Sequence, residues 1–374
     1  MNRRETVVVG GGAMGSATAW HLARRGRQVT LLERYGARHA MGASHGRSRN
    51  FNLTYVDATY QAMLREAGVL WRELEADAGV SLLDTIGIAN HGAGIDPDLH
   101  EQLEALGVRA SMLTPEEAQE RWSGMRFDTR VVHTPDAGRL DAEEAVATFQ
   151  SETARHGGEV LLDTRVVSIS ARAHDRVEIA TADEVYVADT VVVTAGAWTT
   201  KLLGAGLTLP RLVVTQEQPA HFAVSDPDAV WPGFNHMPEP GDPRYGYWYS
   251  QIYGTLTPGK GVKAGWHAVG PVVDPDARTF EPEPVQLAAL QRYAREWLPG
   301  VDADALAPIS CTYTSTDDTD FVLDRVGPVV VGAGFSGHGF KFVPTVGRIL
   351  ADLVEDAARP DVRFAASRPR TSAT

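Results

Sequence analysis

The stretch that decides the fold is residues 6–33, TVVVGGGAMGSATAWHLARRGRQVTLLE. Residues 6–9 are β-branched throughout, the composition of a strand buried on both faces. Gly10, Gly12 and Gly15 follow in G-x-G-x-x-G register. Residues 17–25 read as a helix, with Ala17, Trp20 and His21 on one side. Residues 29–32 form a second strand that ends in Glu33. The three glycines serve different ends. One turns the chain, one lets the backbone approach a pyrophosphate, and one lets helix pack on strand. The uncapped helix N-terminus offers unpaired N–H groups and a partial positive charge to that pyrophosphate. Glu33 is placed to accept hydrogen bonds from ribose hydroxyls and to repel a 2′-phosphate. The unit reads as a dinucleotide-binding finger, open to FAD or NAD.

The remainder of the chain bounds what this finger can serve. A length of 374 residues gives a soft expectation of two to three domains with ample core. Hydrophobic content of 43% and charged content of 22% suit a globular enzyme. A net charge of −13 argues against nucleic acid, which wants a basic stripe. No apolar run approaches the ~18 residues of a spanning helix. Residues 1–5 run straight into the first strand with no signal-peptide pattern. The single cysteine, Cys311, allows no intrachain disulfide. The expected setting is reducing and cytoplasmic.

After Glu33 comes a polar loop, with GASHGRSRNFNLTY at 42–55, which should lie against a ligand or water. Residues 60–78 read as an amphipathic helix, with Met63, Ala67, Leu70, Trp71 and Leu74 near helical spacing. Residues 82–90 are a strand candidate and 97–106 a helix. Thr114-Pro-Glu-Glu117 is a helix start with a capping box. A helix over 141–156 ends at Gly157-Gly158. Short strands at 159–162, 165–171 and 177–180 follow. Residues 186–188 lead into TVVVTAGAW at 190–198, a second approach of backbone to the cofactor. A region rich in Pro, Trp and Tyr includes YGYWY at 245–249. A helix spans 285–298. GPVVVGAGFSGHGFKF at 327–342 repeats the strand-then-glycine theme before a closing helix over 345–358. Nucleotide-type segments at the start, middle and end imply two interleaved domains. The expected division is 1–83, 148–213 and 307–374 for the cofactor, with 84–147 and 214–306 for the substrate.

Six motifs covering nearly the whole chain carry a resemblance: GGGAMGSA at 10–17, SHGRSR at 44–49, TAGAW at 194–198, GVKAGWH at 261–267, SCTYT at 310–314 and GFSGHGFK at 334–341. Together they resemble the monomeric sarcosine oxidase family of flavoenzymes, which includes N-methyltryptophan, pipecolate and bacterial fructosyl amino acid oxidases. The resemblance implies FAD, two-electron amine oxidation, and reoxidation by dioxygen with release of hydrogen peroxide. It implies an α/β fold, a Rossmann-type FAD-binding domain with a mostly antiparallel β-sheet substrate domain. It also implies a cytoplasmic monomer acting on a small-molecule amine.

The resemblance assigns roles residue by residue. Cys311 matches the cysteine joined to the flavin as a thioether; on its own chemistry it would read as a small buried apolar residue. Lys263 matches the lysine that promotes reduction of dioxygen, where a fixed positive charge favours superoxide in a dry site. His267 matches a histidine on the substrate side, against the plainer reading of a satisfied core histidine. His45 and Arg49 match residues beside the flavin ring, where Arg49 would offer a permanent cation. Lys341 matches the lysine that pairs with the substrate carboxylate. Gly10, Gly12, Gly15, Glu33, Arg34, Ser44, Val166, Gly334, Gly337 and Gly339 complete the cofactor candidates. No metal site is expected, since no histidine or cysteine spacing fits one.

One departure sets the substrate expectation. Where sarcosine and N-methyltryptophan oxidases carry a second cation, this chain has Asn52. One cation with Asn50, Asn52, Gln216, Gln218 and Gln251 suits a substrate with several hydroxyls. The expected substrate is therefore a fructosyl amino acid, with Tyr249 and its aromatic neighbours walling the pocket. Sarcosine or another N-methyl amino acid is the alternative. A dehydrogenase using another acceptor and a flavoprotein without turnover remain as rival classes.

Overall fold

The computed structural model describes residues 2–173 and 176–368. The glycine finger sits at the centre of an eight-stranded sheet. Strand Asn2–Val9 pairs in parallel with Val29–Leu32 on one side and Val185–Val193 on the other. Glu159–Leu161 continues the parallel run beyond Val29–Leu32. Strand Val185–Val193 is shared between two partners. Its first half pairs antiparallel with Arg176–Thr181, its second half parallel with Val329–Ala333. Val166–Ala173 and Val322–Val326 close the edges as antiparallel neighbours.

Valines at 7, 8, 191, 192, 330 and 331 are wholly buried, because both faces of this sheet are covered. Helix Ala13–Arg24 lies on one face between the closing helix Val343–Glu355 and helix Ala142–Arg155. The other face packs against the meander that contains Val177 and Ile179 and against Leu203. Gly15 is where helix meets strand: a Cβ there would sit 1.9 Å from the Gly10 carbonyl oxygen.

The second eight-stranded sheet runs in the order Val301–Pro308, Ala220–Val224, Gly261–Trp266, Ile252–Thr257, Gly233–His236, Ile88–His91, Val131–Thr134 and Ser111–Leu113. All its pairs are antiparallel except Gly233–His236 with Ile88–His91. Helix Pro284–Trp297 inserts Leu290, Tyr293 and Trp297 among Phe222, Phe234 and Trp266 on one side. The opposite side of Ile252–Thr257 and Gly261–Trp266 borders a cavity shared with the first sheet.

Local expectations meet a few physical limits. The strand expected over 82–90 is two short ones, Leu83–Asp84 and Ile88–His91, broken at Gly87 with φ of 72°. Residues 186–188 and 190–193 merge into one strand, with the pairing partner on one side changing at the joint, while Gly196–Trp198 forms a 3-10 turn. The capping box at Thr114 and Glu117 is present in full. No helix among the described residues is long and apolar enough to cross a membrane.

Candidate active site

A cavity of about 890 Å³ runs from the glycine finger to the second sheet. That size is at the upper end of ligand pockets, roughly 300–1,000 Å³. Its first end is built for a dinucleotide. Gly10 has φ of 101°, and a Cβ would stand 2.6 Å from the Thr194 carbonyl oxygen. Gly12 precedes helix Ala13–Arg24 with no side-chain cap of its own. Ser44 comes across from the polar loop and accepts a hydrogen bond from the Ala13 amide at 3.0 Å. The buried Glu33 carboxylate accepts from the Gly11 and Tyr35 amides at 2.7 and 2.9 Å. A carboxylate has about four lone-pair sites, so ribose hydroxyls can still bind. Arg34 and Val166 line the cavity beyond Glu33, and Arg34 donates to Asp276 at 2.9 Å. A glycine cradle, a helix start and a fixed carboxylate together fit the adenosine diphosphate half of FAD.

The other end is set by strand pleat. Tyr253 and Thr255 alternate along Ile252–Thr257, and the register places Lys263 opposite Thr255 and Gly265 opposite Tyr253. Gly265 leaves room for that ring, since a Cβ would stand 2.9 Å from the Tyr253 hydroxyl. His267 follows two residues later, on the same side as Lys263. Lys263 is buried and its Nζ donates to the Ser48 carbonyl. Burial first, and then Arg49, push its ammonium well below the ordinary lysine range. Its charge therefore depends on what shares the cavity, and an anion there restores it.

Arg49 folds back on its own loop, donating to the Ser48, Ala43 and His45 carbonyls at 2.8 Å each. His45 is kept neutral, with a pKa lowered to about 3 by burial and by Arg49, Arg278 and Lys263. Its Nε2 is buried without a partner, an orphaned polar atom that a bound group would satisfy. Cys311 opens strand Cys311–Ser315, is half-buried and lines the cavity, with Sγ 3.9 Å from the Ala43 carbonyl. Gly334, Gly337 and Gly339 form one wall; at Gly337, with φ of 78°, a Cβ would overlap the Tyr313 ring.

Lys341 enters from the turn before the closing helix and is buried. Burial lowers its pKa to about 7. His267 is held neutral by burial and by Lys341, with a pKa lowered to about 4. The cavity thus brings Lys263, His267, Lys341, Arg49, His45 and Cys311 together, with Asn52 and Gln251 on its wall.

Several expectations require correction. Tyr249 is 43% exposed and lies outside the cavity. Tyr245 and Trp248 pack with His236 and Tyr293 in the core of the second sheet, and the Tyr247 hydroxyl donates to Glu296 at 2.6 Å. The aromatic rings that line the cavity include Tyr55, Tyr253 and Tyr313 instead. Gln216 and Gln218 hold backbone rather than ligand: Gln216 Nε2 donates to the Glu281 carbonyl at 2.9 Å, and Gln218 Oε1 accepts from the Glu283 amide. Asn52 Oδ1 accepts from the Thr54 amide at 3.0 Å, and Asn50 Nδ2 donates to the Gly254 carbonyl at 3.2 Å. Gln216 and Gln218 lie outside the cavity, which leaves Asn50, whose Oδ1 is buried without a partner, with Asn52 and Gln251 as polar groups on its wall. Sequence reading also missed Tyr55, Tyr253, Tyr313 and His338. The alternation of Gln251, Tyr253 and Thr255 was the available signal for one of them. Among the described residues no group of three or more His, Cys, Asp or Glu is placed to hold a metal.

A family model described as FAD-dependent oxidoreductase matches residues 5–353. The chain belongs to this family. It is 31% identical to a monomeric sarcosine oxidase of Bacillus sp. (strain B-0618), over 93% of this chain and 91% of that one. It is 27% identical to an N-methyl-L-tryptophan oxidase of Yersinia pestis (strain Pestoides F), over 95% and 96%. Among solved structures, the open form of NikD, an unusual amino acid oxidase, superposes with a TM-score of 0.87 at 28% identity, covering 98% of both chains. FAD is accordingly the cofactor of this FAD-dependent oxidoreductase, and the cavity fits it.

Proposed function

We propose that this FAD-dependent oxidoreductase oxidises the secondary amine of a small N-methyl amino acid of the sarcosine type, as a monomer, with dioxygen as electron acceptor. The observation that carries the reading is the pair of buried lysines, Lys341 and Lys263, in one cavity with the neutral imidazole of His267. Lys341 is the cation for a carboxylate. Lys263, close to Arg49 and Cys311, serves the redox end, where an anion would hold its charge. FAD bound there supplies the two-electron acceptor for a C–H bond next to the amine nitrogen. His267 stays neutral at working pH and does not compete with Lys341 for the carboxylate. The product imine is hydrolysed by water, and dioxygen takes up two electrons and two protons as hydrogen peroxide.

The sarcosine and N-methyltryptophan oxidases that the chain resembles favour an N-methyl amino acid over a fructosyl one. So does the engagement of Gln216 and Gln218 with backbone outside the cavity. We further propose that Cys311 carries the flavin covalently, supported by its half-buried place on the cavity wall beside Lys263 and Arg278. A peroxide-coupled screen of sarcosine, other N-methyl amino acids, pipecolate and fructosyl-glycine tests the reading. Peroxide with the N-methyl compounds is expected. Faster turnover of fructosyl-glycine would overturn the substrate class, and anaerobic flavin bleaching without peroxide in air would mark a dehydrogenase.

A further inference from the structure

Lys341 does not hang freely in the cavity. Its Nζ donates to the His338 carbonyl at 2.8 Å and to the Tyr55 hydroxyl at 3.1 Å. Tyr55 in turn lies 3.2 Å from His338 Nδ1, and His338 Nε2 lies 3.1 Å from the Thr319 carbonyl. The direction of every bond follows from chemistry. A carbonyl only accepts, so Nε2 carries the ring proton. Burial and then Lys341 keep the ring neutral, so Nδ1 is an acceptor and Tyr55 must donate to it. The tyrosine oxygen is then free to accept from Lys341.

The chain of bonds ends in backbone that is itself unusual. Thr319 has φ of 61°, a left-handed conformation that a β-branched residue rarely adopts. Its loop is clamped by ion pairs of Asp318 with Arg368 and Asp320 with Arg363. Backbone held in so sparse a region persists only where the surroundings over-determine it. Tyr55 is gripped by Tyr60 and Phe342, with ring centroids 5.8 and 5.5 Å away.

We infer that Tyr55 and His338 are positioning residues that fix two of the three Lys341 protons and aim the third at the substrate carboxylate. The inference rests on Lys341 being the carboxylate clamp. An ammonium is otherwise a flexible point charge on a long stem, and loses orientation when one anchor goes. The His338 ring orients the tyrosine proton away from the lysine, so without it the hydroxyl can turn and repel the ammonium.

The test compares flavin-loaded wild type with Tyr55→Phe, His338→Leu, His338→Asn and Lys341→Met. Readouts are KM and kcat for sarcosine, and the Kd of propanoate, a carboxylate without an amine, from the change in flavin absorbance. Tyr55→Phe and His338→Leu should each raise KM and Kd about tenfold, the size of one charge-assisted hydrogen bond. The fall in kcat should be smaller than the rise in KM. His338→Asn, which restores an acceptor near Nδ1, should recover most of the binding. Lys341→Met separates the two layers. If it leaves propanoate binding unchanged, the clamp reading fails and the positioning role with it. If it weakens binding while Tyr55→Phe and His338→Leu do not, the clamp stands and the positioning role is refuted. Tyr55→Phe removes a single oxygen from a well-packed ring, so that arm reads out even if His338→Leu fails to fold.

Discussion

Carboxylate binding should fall as pH rises through neutrality, and the size of the fall follows from the burial of Lys341. An exposed lysine keeps its proton to about pH 10 and would show nothing between about pH 6 and 8. Burial lowers the Lys341 value to about 7 in the free cavity. At pH 6 about nine-tenths of such groups are charged, and at pH 8 about one-tenth. A bound carboxylate holds the lysine charged over the whole interval, so the Kd should rise about tenfold from pH 6 to pH 8. The sign is that of a base with a depressed value: the binding-competent cation is present below about 7 and lost above it. The facing groups do not blur the result. His267 and His338 are lowered to about 4 and 3, and the Tyr55 phenol is raised by burial, so none changes charge in the window. Lys263 is the other buried lysine of the cavity, and Lys341→Met removes its ambiguity. The assay is a propanoate titration of the flavin spectrum at half-unit pH steps, in wild type and Lys341→Met. A flat wild-type profile, or an equal slope in the variant, refutes the reasoning.

Two further outcomes concern the redox end. Acid precipitation of the flavin-loaded protein should leave yellow colour in the pellet, and the intact mass should exceed the bare chain by one FAD less two hydrogens. Cys311→Ala should release the colour, and a colourless wild-type pellet rejects the thioether. Lys263→Met should slow air reoxidation of the reduced enzyme 10²–10³-fold, about 3–4 kcal/mol for one preorganised charge, while sparing reduction by substrate. Stopped-flow traces of the two half-reactions check it, and equal slowing of both would sink the assignment.

The glycine finger was legible because its signals are local. Three glycines, a strand, a helix and Glu33 all fall within 28 residues, and each answers to one contact. The capping box at Thr114 was legible for the same reason. What failed was the facing of side chains set by distant pairing. The 245–249 aromatics look like a pocket wall in sequence, but Tyr245, Tyr247 and Trp248 pack with helix Pro284–Trp297 and Tyr249 is exposed. Tyr253, four residues past Tyr249, faces the cavity only because of its register with Gly265. Gln216 and Gln218 look like ligand groups until the chain at 280–283 folds over them. The Lys341 anchor joins positions 55, 319, 338 and 341, and spacing alone cannot reveal that closure.

The strand Val185–Val193 has a consequence for how the chain is made. Its second half is paired on one side by Asn2–Val9, but on the other only by Val329–Ala333, which is synthesised after it. Until that strand leaves the ribosome, the buried valines 191–193 present an open edge, a template for wrong pairing. The stretch after Val329–Ala333 supplies Lys341, whose carbonyl accepts from Trp71 Nε1, and the helix start at Pro344, whose carbonyl lies 2.9 Å from His21 Nε2. The glycine finger therefore emerges before these elements yet cannot form a closed cofactor chamber until strand Val329–Ala333 and helix Val343–Glu355 have followed it out. Flavin capture should therefore follow the synthesis of Val329–Ala333, and nonsense truncations upstream of Val329 should yield aggregates rather than weakened enzymes.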